Sequence, residues 1–488
     1  MPGLSERLPE QGAPRSVGAE VAAAALRPLD VARLILSAPF SFMLALLVLE
    51  ALLSATTTWL VIQASRDVAV GRFIVADLVW IFLAQAASYI SGAASWIFAE
   101  QAGYRAYGRY ILRFARLNRG QPMLLGDRHM REQVEPFLTG ETFTVFYLLM
   151  YELEGDLKLL LGLAFNAFVL GMEISGGLPA AYVLVFCALL LVQASLRNPI
   201  GRAYRQNQEA RNRMTVQAYT AWDNVFSGNR YNLRLWLAGF KTRLRSALRA
   251  QIKAVAAREG ISAAGGIVAL AVVIGVMIAI AAGQSDAAVL IAMAATLPRQ
   301  IEMTQDVNEL ASGWNELIAI WARLGGVTEN LRPAADPAHD QRIQFRDLVL
   351  RDTEGALGVR SVEDALATVL SRPTGRLQLR GGNGAGKSSL LAALKRRLGR
   401  RAYYWPTHDR LAFQFGEVPA DKRRRRKGYS SGERQLRALR EIVEQTDSSI
   451  YLFDEWDANL DKRNRQAAEA LMEALAQRAR VVEISHRE

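Results

Sequence analysis

Residues able to bind and transfer phosphate stand out before any other feature. Gly381-Gly382-Asn383-Gly384-Ala385-Gly386-Lys387-Ser388 fits the pattern G-x-x-x-x-G-K-[ST]. The pattern follows a strand-like run, Arg376–Arg380, and precedes a helical run, Ser389–Leu398. In that context glycines let backbone amides wrap a phosphate chain, a lysine reaches the outer phosphates and a hydroxyl ligates Mg²⁺. Gly381, Asn383, Gly384, Gly386, Lys387, Ser388 and Ser389 are therefore the expected nucleotide contacts. Further on, the apolar strand Ser449–Phe453 ends in Asp454-Glu455. A carboxylate so placed holds Mg²⁺ together with Ser388, and the adjacent Glu455 is placed to polarise a water. A nucleotide and Mg²⁺ are what this chemistry calls for.

These residues need a scaffold, and the chain divides sharply in composition. It has 488 residues, with 59 Lys and Arg against 47 Asp and Glu, a net charge of +12. Hydrophobic residues make up 51%, which excludes a disordered chain. Cys187 is the lone cysteine, so no intrachain disulfide forms, and with four histidines a structural zinc site is not expected.

Six stretches are long and apolar enough for membrane spans, which need about 20 residues each. They are Pro39–Ala64, Ile74–Phe98, Phe143–Met172, Leu178–Leu196, Ile261–Gly283 and Ala287–Met303. Two connections, Glu100–Leu138 and Arg197–Gly260, are long, basic and helical in pattern. Positive charge marks the cytoplasmic side, and six spans return the C-terminal part to it. The basic excess is explained by orientation and anionic lipid, without nucleic acid. The expected layout is a cytoplasmic tail over residues 1–30, a helical membrane domain over 31–324, a linker over 325–342 and an α/β phosphate-loop domain over 343–488. Ionisable residues within spans are functional candidates: Glu50, Glu152, Glu154, Asp156, Arg299 and Glu302. They either pair internally, as Glu154 with Lys158 or Arg299 with Glu302, or line an acidic cavity for a cationic or zwitterionic cargo.

Tyr429-Ser430-Ser431-Gly432-Glu433 followed by Arg434-Gln435 resembles the signature of ABC transporters. Asp454-Glu455-Trp456-Asp457-Ala458-Asn459-Leu460-Asp461 is similar to the family's Walker B glutamate and D-loop, and Ile484-Ser485-His486 to its switch histidine. With the preceding spans, the chain resembles an ABC exporter half-transporter over nearly its whole length. Trp456 is similar to a branch that exports cyclic peptides and siderophores.

The resemblance implies ATP-driven export of a peptide or other amphipathic substrate across the inner membrane of a bacterium. It implies a dimer, with an identical second copy favoured, that closes on ATP. Ser430 and Gly432 of one copy would complete the site of the other, with Glu455 and His486 catalytic and Asp461 in the D-loop. The turn around Asn224 and Gly228-Asn229-Arg230 resembles a coupling helix.

Three departures from the family pattern matter. The interval from Ser388 to Tyr429 is much shorter, so the helical subdomain that usually receives coupling helices is reduced. Thr407 stands where the family has its Q-loop glutamine, with Gln414 as a substitute. Lys422–Lys427 is an uninterrupted cationic run. The shortening raises an alternative, a membrane regulator that binds ATP without moving cargo.

Overall fold

The computed structural model describes residues 28–127, 130–131, 134–135, 138, 140–329, 343–352, 354–407, 411–416, 430–458 and 460–485. His486, Tyr429, Asn459 and the cationic run 422–427 lie outside these residues. The chain divides into two units. One contains the described residues up to Tyr110 together with Gly140–Glu329. The other contains the described parts of Ile111–Thr139 and Asn330–Glu488.

The first unit is helical: α1 Pro28–Ile35, α2 Ala38–Ala69, α3 Val75–Asn118, α4 Gly140–Glu173, α5 Gly177–Tyr219, α6 Ala221–Phe226, α7 Arg230–Gly283, α8 Ala287–Ala295 and α9 Leu297–Glu329. Among them α2, α3, α4, α5 and α7 carry windows long and apolar enough to cross a membrane. The expected sixth span is interrupted at Thr296, between α8 and α9. Pro298 supplies no amide to continue the ladder, and the Thr296 hydroxyl bonds back to the Ala292 carbonyl at 2.9 Å.

Helices in lipid associate through small residues and side-chain hydrogen bonds rather than through water exclusion. Accordingly α3 buries Ser88, Ser91, Ser95, Ala99, Ala102, Gly103 and Ala106. The Thr58 hydroxyl of α2 donates to Asn166 of α4 at 2.5 Å. Arg66 pairs with Glu173 at 2.6 Å.

The second unit is built on a six-stranded sheet of order β2-β1-β3-β6-β5-β4. Its strands are β1 Val349–Arg351, β2 Ala356–Gly358, β3 Gly375–Arg380, β4 Ala402–Trp405, β5 Ile450–Asp454 and β6 Arg480–Ile484. Strands β3, β6, β5 and β4 run parallel, while β1 pairs antiparallel with β2 and β3. Ile343–Leu350 reads as one strand in sequence, but a 3₁₀ turn at Phe345–Asp347 delays β1 to Val349.

Helices α10 Val362–Leu370, α11 Lys387–Leu398, α12 Ser431–Gln445 and α13 Lys462–Arg478 cover the sheet. Alternation along β5 sends Ile450 and Leu452 into one core with Leu390, Leu391 and Leu394. Tyr451 and Phe453 enter the other, with Leu439, Trp456 and Met472. Because four strands are parallel, the carboxyl ends of β3, β4, β5 and β6 lie along one edge, where such sheets bind ligands.

Candidate functional site

The phosphate-loop pattern leaves β3 at that edge and enters α11 at Lys387. Gly381 is sterically required: a Cβ there would lie 2.7 Å from both the Asp347 carbonyl oxygen and Leu348 Cδ2. Gly384 and Gly386 take left-handed φ angles of 84° and 90°. The loop is closed by the Ala385 amide donating to Gly382 O at 3.2 Å, and anchored where Gln344 donates to Ala385 O at 3.0 Å. Asn383 and Gly384 are exposed, and Ser389 is half-buried in the first turn of α11. Lys387 folds over its own loop and donates to the carbonyls of Gly381 at 2.8 Å and Gly382 at 3.2 Å. A helix N-terminus carrying a lysine beside an open amide-lined loop can hold a polyphosphate anion.

Asp454 ends β5 and is buried. Burial pushes its carboxyl above the usual aspartate value, while hydrogen bonds from Ser388 and Thr407 oppose that rise. Its Oδ1 has no hydrogen-bond partner among the described residues. An orphaned buried carboxylate oxygen next to the Ser388 hydroxyl fits a hard cation such as Mg²⁺. No group of three His, Cys, Asp or Glu among the described residues could hold a metal.

Glu455 follows with φ 50°, the one described non-glycine residue in the left-handed region. Its amide donates to Ile484 O at 3.0 Å, and its carbonyl accepts the Ala458 amide at 3.2 Å. A strained, over-determined backbone of this kind is common at functional sites. Thr407 thus touches Asp454, whereas the backbone N–H of Gln414 donates to Glu441 of α12 at 2.7 Å.

Ser430 is the N-cap of α12. Its hydroxyl accepts the Glu433 amide at 3.2 Å, and Glu433 Oε2 accepts the Ser430 amide at 2.9 Å, a capping box. Gly432 is buried in the first turn. Asp461 caps α13 by accepting the Asn464 amide at 2.7 Å. Sequence reasoning missed Glu483, a fully buried carboxylate in β6 that binds Arg376 of β3 at 2.7 Å and accepts the Trp456 indole N–H at 2.8 Å. A lone acid within the apolar run Val481-Val482-Glu483-Ile484 was the available signal.

The 3₁₀ turn Pro122–Gly126, from the first long basic connection, also belongs to this unit and lies against α11. Its Met123 joins the core of Leu390, Leu391 and Leu394.

In the helical unit the ionisable residues separate by helical phase. On α4, residues 152 and 156 share one face and 154 and 158 another. Lys158 binds Glu50 at 2.7 Å, and Glu154 accepts from Ser95 at 2.8 Å. Glu50 packs where Gly92 leaves room: a Cβ there would meet its Oε1 at 2.5 Å. On the other face Glu152 lies beside Glu316, which pairs with Arg258 at 2.7 Å, and Asp156 lies against Gly313. Arg299 binds Glu302 at 2.8 Å and the Ser54 hydroxyl at 2.9 Å.

A cleft of about 480 Å³ between α7 and α9, absent from the sequence reading, is lined by Arg258, Ser262, Gln305, Asn308, Glu309 and Ser312 among others. At the turn between α5 and α7, Trp222 and Phe226 of α6 are exposed, with ring centroids 4.5 Å apart.

No protein-family model matches the chain, and no curated protein matches it at significant similarity.

Proposed function

We propose that this protein is an ATP-driven exporter of the ABC half-transporter kind, working as a dimer of identical chains. The observation that carries the reading is the orphaned oxygen of Asp454 beside Ser388, at the mouth of a glycine loop and next to Glu455. That arrangement belongs to a chain with five helices long and apolar enough for a membrane.

In this reading the loop amides and Lys387 bind the phosphates of ATP, and Ser388 and Asp454 hold Mg²⁺. When bound, the metal neutralises charge developing on the phosphates. Glu455 orients water and accepts its proton, and the role assigned to His486 is contact with the γ-phosphate. Ser430 and Gly432 at the α12 N-terminus face the nucleotide of the second copy, where helix amides stabilise negative charge. Met123 packs against α11, the helix that follows the phosphate loop. Trp222 and Phe226 offer the second copy an apolar surface.

The cargo is amphipathic, a peptide or a molecule like one. The cleft bearing Arg258, Glu309, Gln305 and Asn308 supports this with both charges and amides at an apolar wall. The test is ATP-dependent accumulation of a cell-extract component in inside-out proteoliposomes, identified by mass. Accumulation supports export; nucleotide binding without accumulation favours the regulator.

A further inference from the structure

Three consecutive residues after β5 are each tied to the end of β6. The Glu455 amide donates to Ile484 O at 3.0 Å. The Trp456 indole N–H donates to Glu483 Oε2 at 2.8 Å. The Ser485 hydroxyl donates to Asp457 Oδ2 at 2.8 Å.

Trp456 is fully buried, and so is the carboxylate it meets. A buried carboxylate is costly unless paired and hydrogen-bonded. Glu483 meets both conditions: Arg376 reaches its two oxygens at 2.7 and 2.9 Å, and the same guanidinium extends to Glu469 at 2.9 Å. A buried indole N–H needs an acceptor, and here that acceptor is a carboxylate in the middle of an apolar strand, which ties Trp456 to β6 at a fixed point.

On its other side, the Trp456 carbonyl accepts the side-chain amide of Gln435, one turn into α12 from Ser430. Trp456 therefore joins the helix bearing Ser430 and Gly432 to the peptide that follows Glu455, within a single chain.

We propose that Trp456 is a positioning residue for hydrolysis, relaying the placement of α12 to Glu455 through Gln435 and holding its own indole on Glu483. The inference rests on reading Glu455 as the residue that activates water. With the indole pinned, a shift of α12 acts on the Trp456 carbonyl and is taken up at the neighbouring Glu455, whose backbone is already in the left-handed region. In a dimer this makes hydrolysis at one site respond to nucleotide held against the same chain's α12 at the other.

The test uses the full-length protein in lipid nanodiscs. It compares ATPase kcat and KM, affinity for a fluorescent ATP analogue, and melting temperature. Trp456→Phe keeps most of the ring volume but loses the donor. Gln435→Ala breaks the link to α12 without touching the core, and serves if Trp456→Phe folds poorly. Glu483→Gln keeps an acceptor for the indole.

Both Trp456→Phe and Gln435→Ala are expected to lower kcat by about 10- to 100-fold, the scale of a misplacement near 1 Å, with KM and nucleotide affinity little changed. Glu483→Gln is expected to retain most of kcat. Wild-type kcat in Trp456→Phe and Gln435→Ala, with turnover abolished in Glu455→Gln, would overturn this inference alone. So would a kcat loss matched by an equal loss of nucleotide binding and folded protein. Wild-type turnover in Glu455→Gln would overturn the reading beneath it.

Discussion

The carbonyl of Ile484 accepts the amide of Glu455 at 3.0 Å, fixing the backbone of the acid at φ 50°. The side chain is therefore delivered from a rigid point, and its length matters. Glu455→Asp is expected to lower ATP turnover by about 100-fold, because a carboxylate withdrawn by one methylene cannot be restored by backbone movement. Nucleotide affinity should persist. Steady-state ATPase assays with parallel binding measurements check this.

Gly381→Ala should disable the phosphate loop. The added Cβ meets backbone at Asp347 and a packed side chain at Leu348, both at 2.7 Å. Overpacking of this kind costs about 1–3 kcal/mol, and the displaced loop no longer presents its amides together. Loss of ATP-analogue binding with a lowered melting temperature is the expected result. Gly382→Ala, where a Cβ meets nothing within 4 Å, is the control for melting temperature.

Ser430 carries two separable roles. Its hydroxyl caps α12 in a reciprocal box with Glu433, and losing such a cap costs about 0.5–2 kcal/mol. Ser430→Ala should lower both the melting temperature and ATPase activity. Ser430→Asp restores the cap but places negative charge where a phosphate is expected. It should recover the melting temperature and leave turnover low, a split that ATPase and thermal assays on one preparation resolve.

The buried Glu483 sets a pH dependence. Burial raises its carboxyl above the ordinary glutamate value of 4.5, with Arg376 and the Trp456 indole opposing. A folded value above the unfolded one means that the stability contribution is fully present below about 4.5 and is lost as pH rises through the folded value. Glu483→Gln removes that titration. The melting temperature of the variant relative to wild type should therefore rise with pH across this window, as read by thermal scans of the full chain.

Local chemistry was the legible part of this protein. The strand–glycine loop–helix order around residues 381–388, the strand ending in Asp454-Glu455 and most long apolar helices could be read because tight glycine turns and apolar helices each impose residue types at fixed spacing. Most of what escaped depended on distant partners, with Pro298 the local exception. The Pro298 break ended the sixth expected span early, although overall apolarity suggested continuity. Lys158 binds Glu50 of another helix rather than its neighbour Glu154. The acids of α4 face two directions, which a list of acidic residues does not convey. The packing of Met123 into the core of the phosphate-loop domain joins residues far apart in sequence, and no local pattern encodes it.

Phosphate release by the purified full-length protein in lipid, wild type against Glu455→Gln, is the decisive test of MgATP hydrolysis through Glu455. Mg²⁺-dependent turnover is expected in the wild type, with none above background in the variant, which still binds ATP. Equal phosphate release from the two proteins would contradict it.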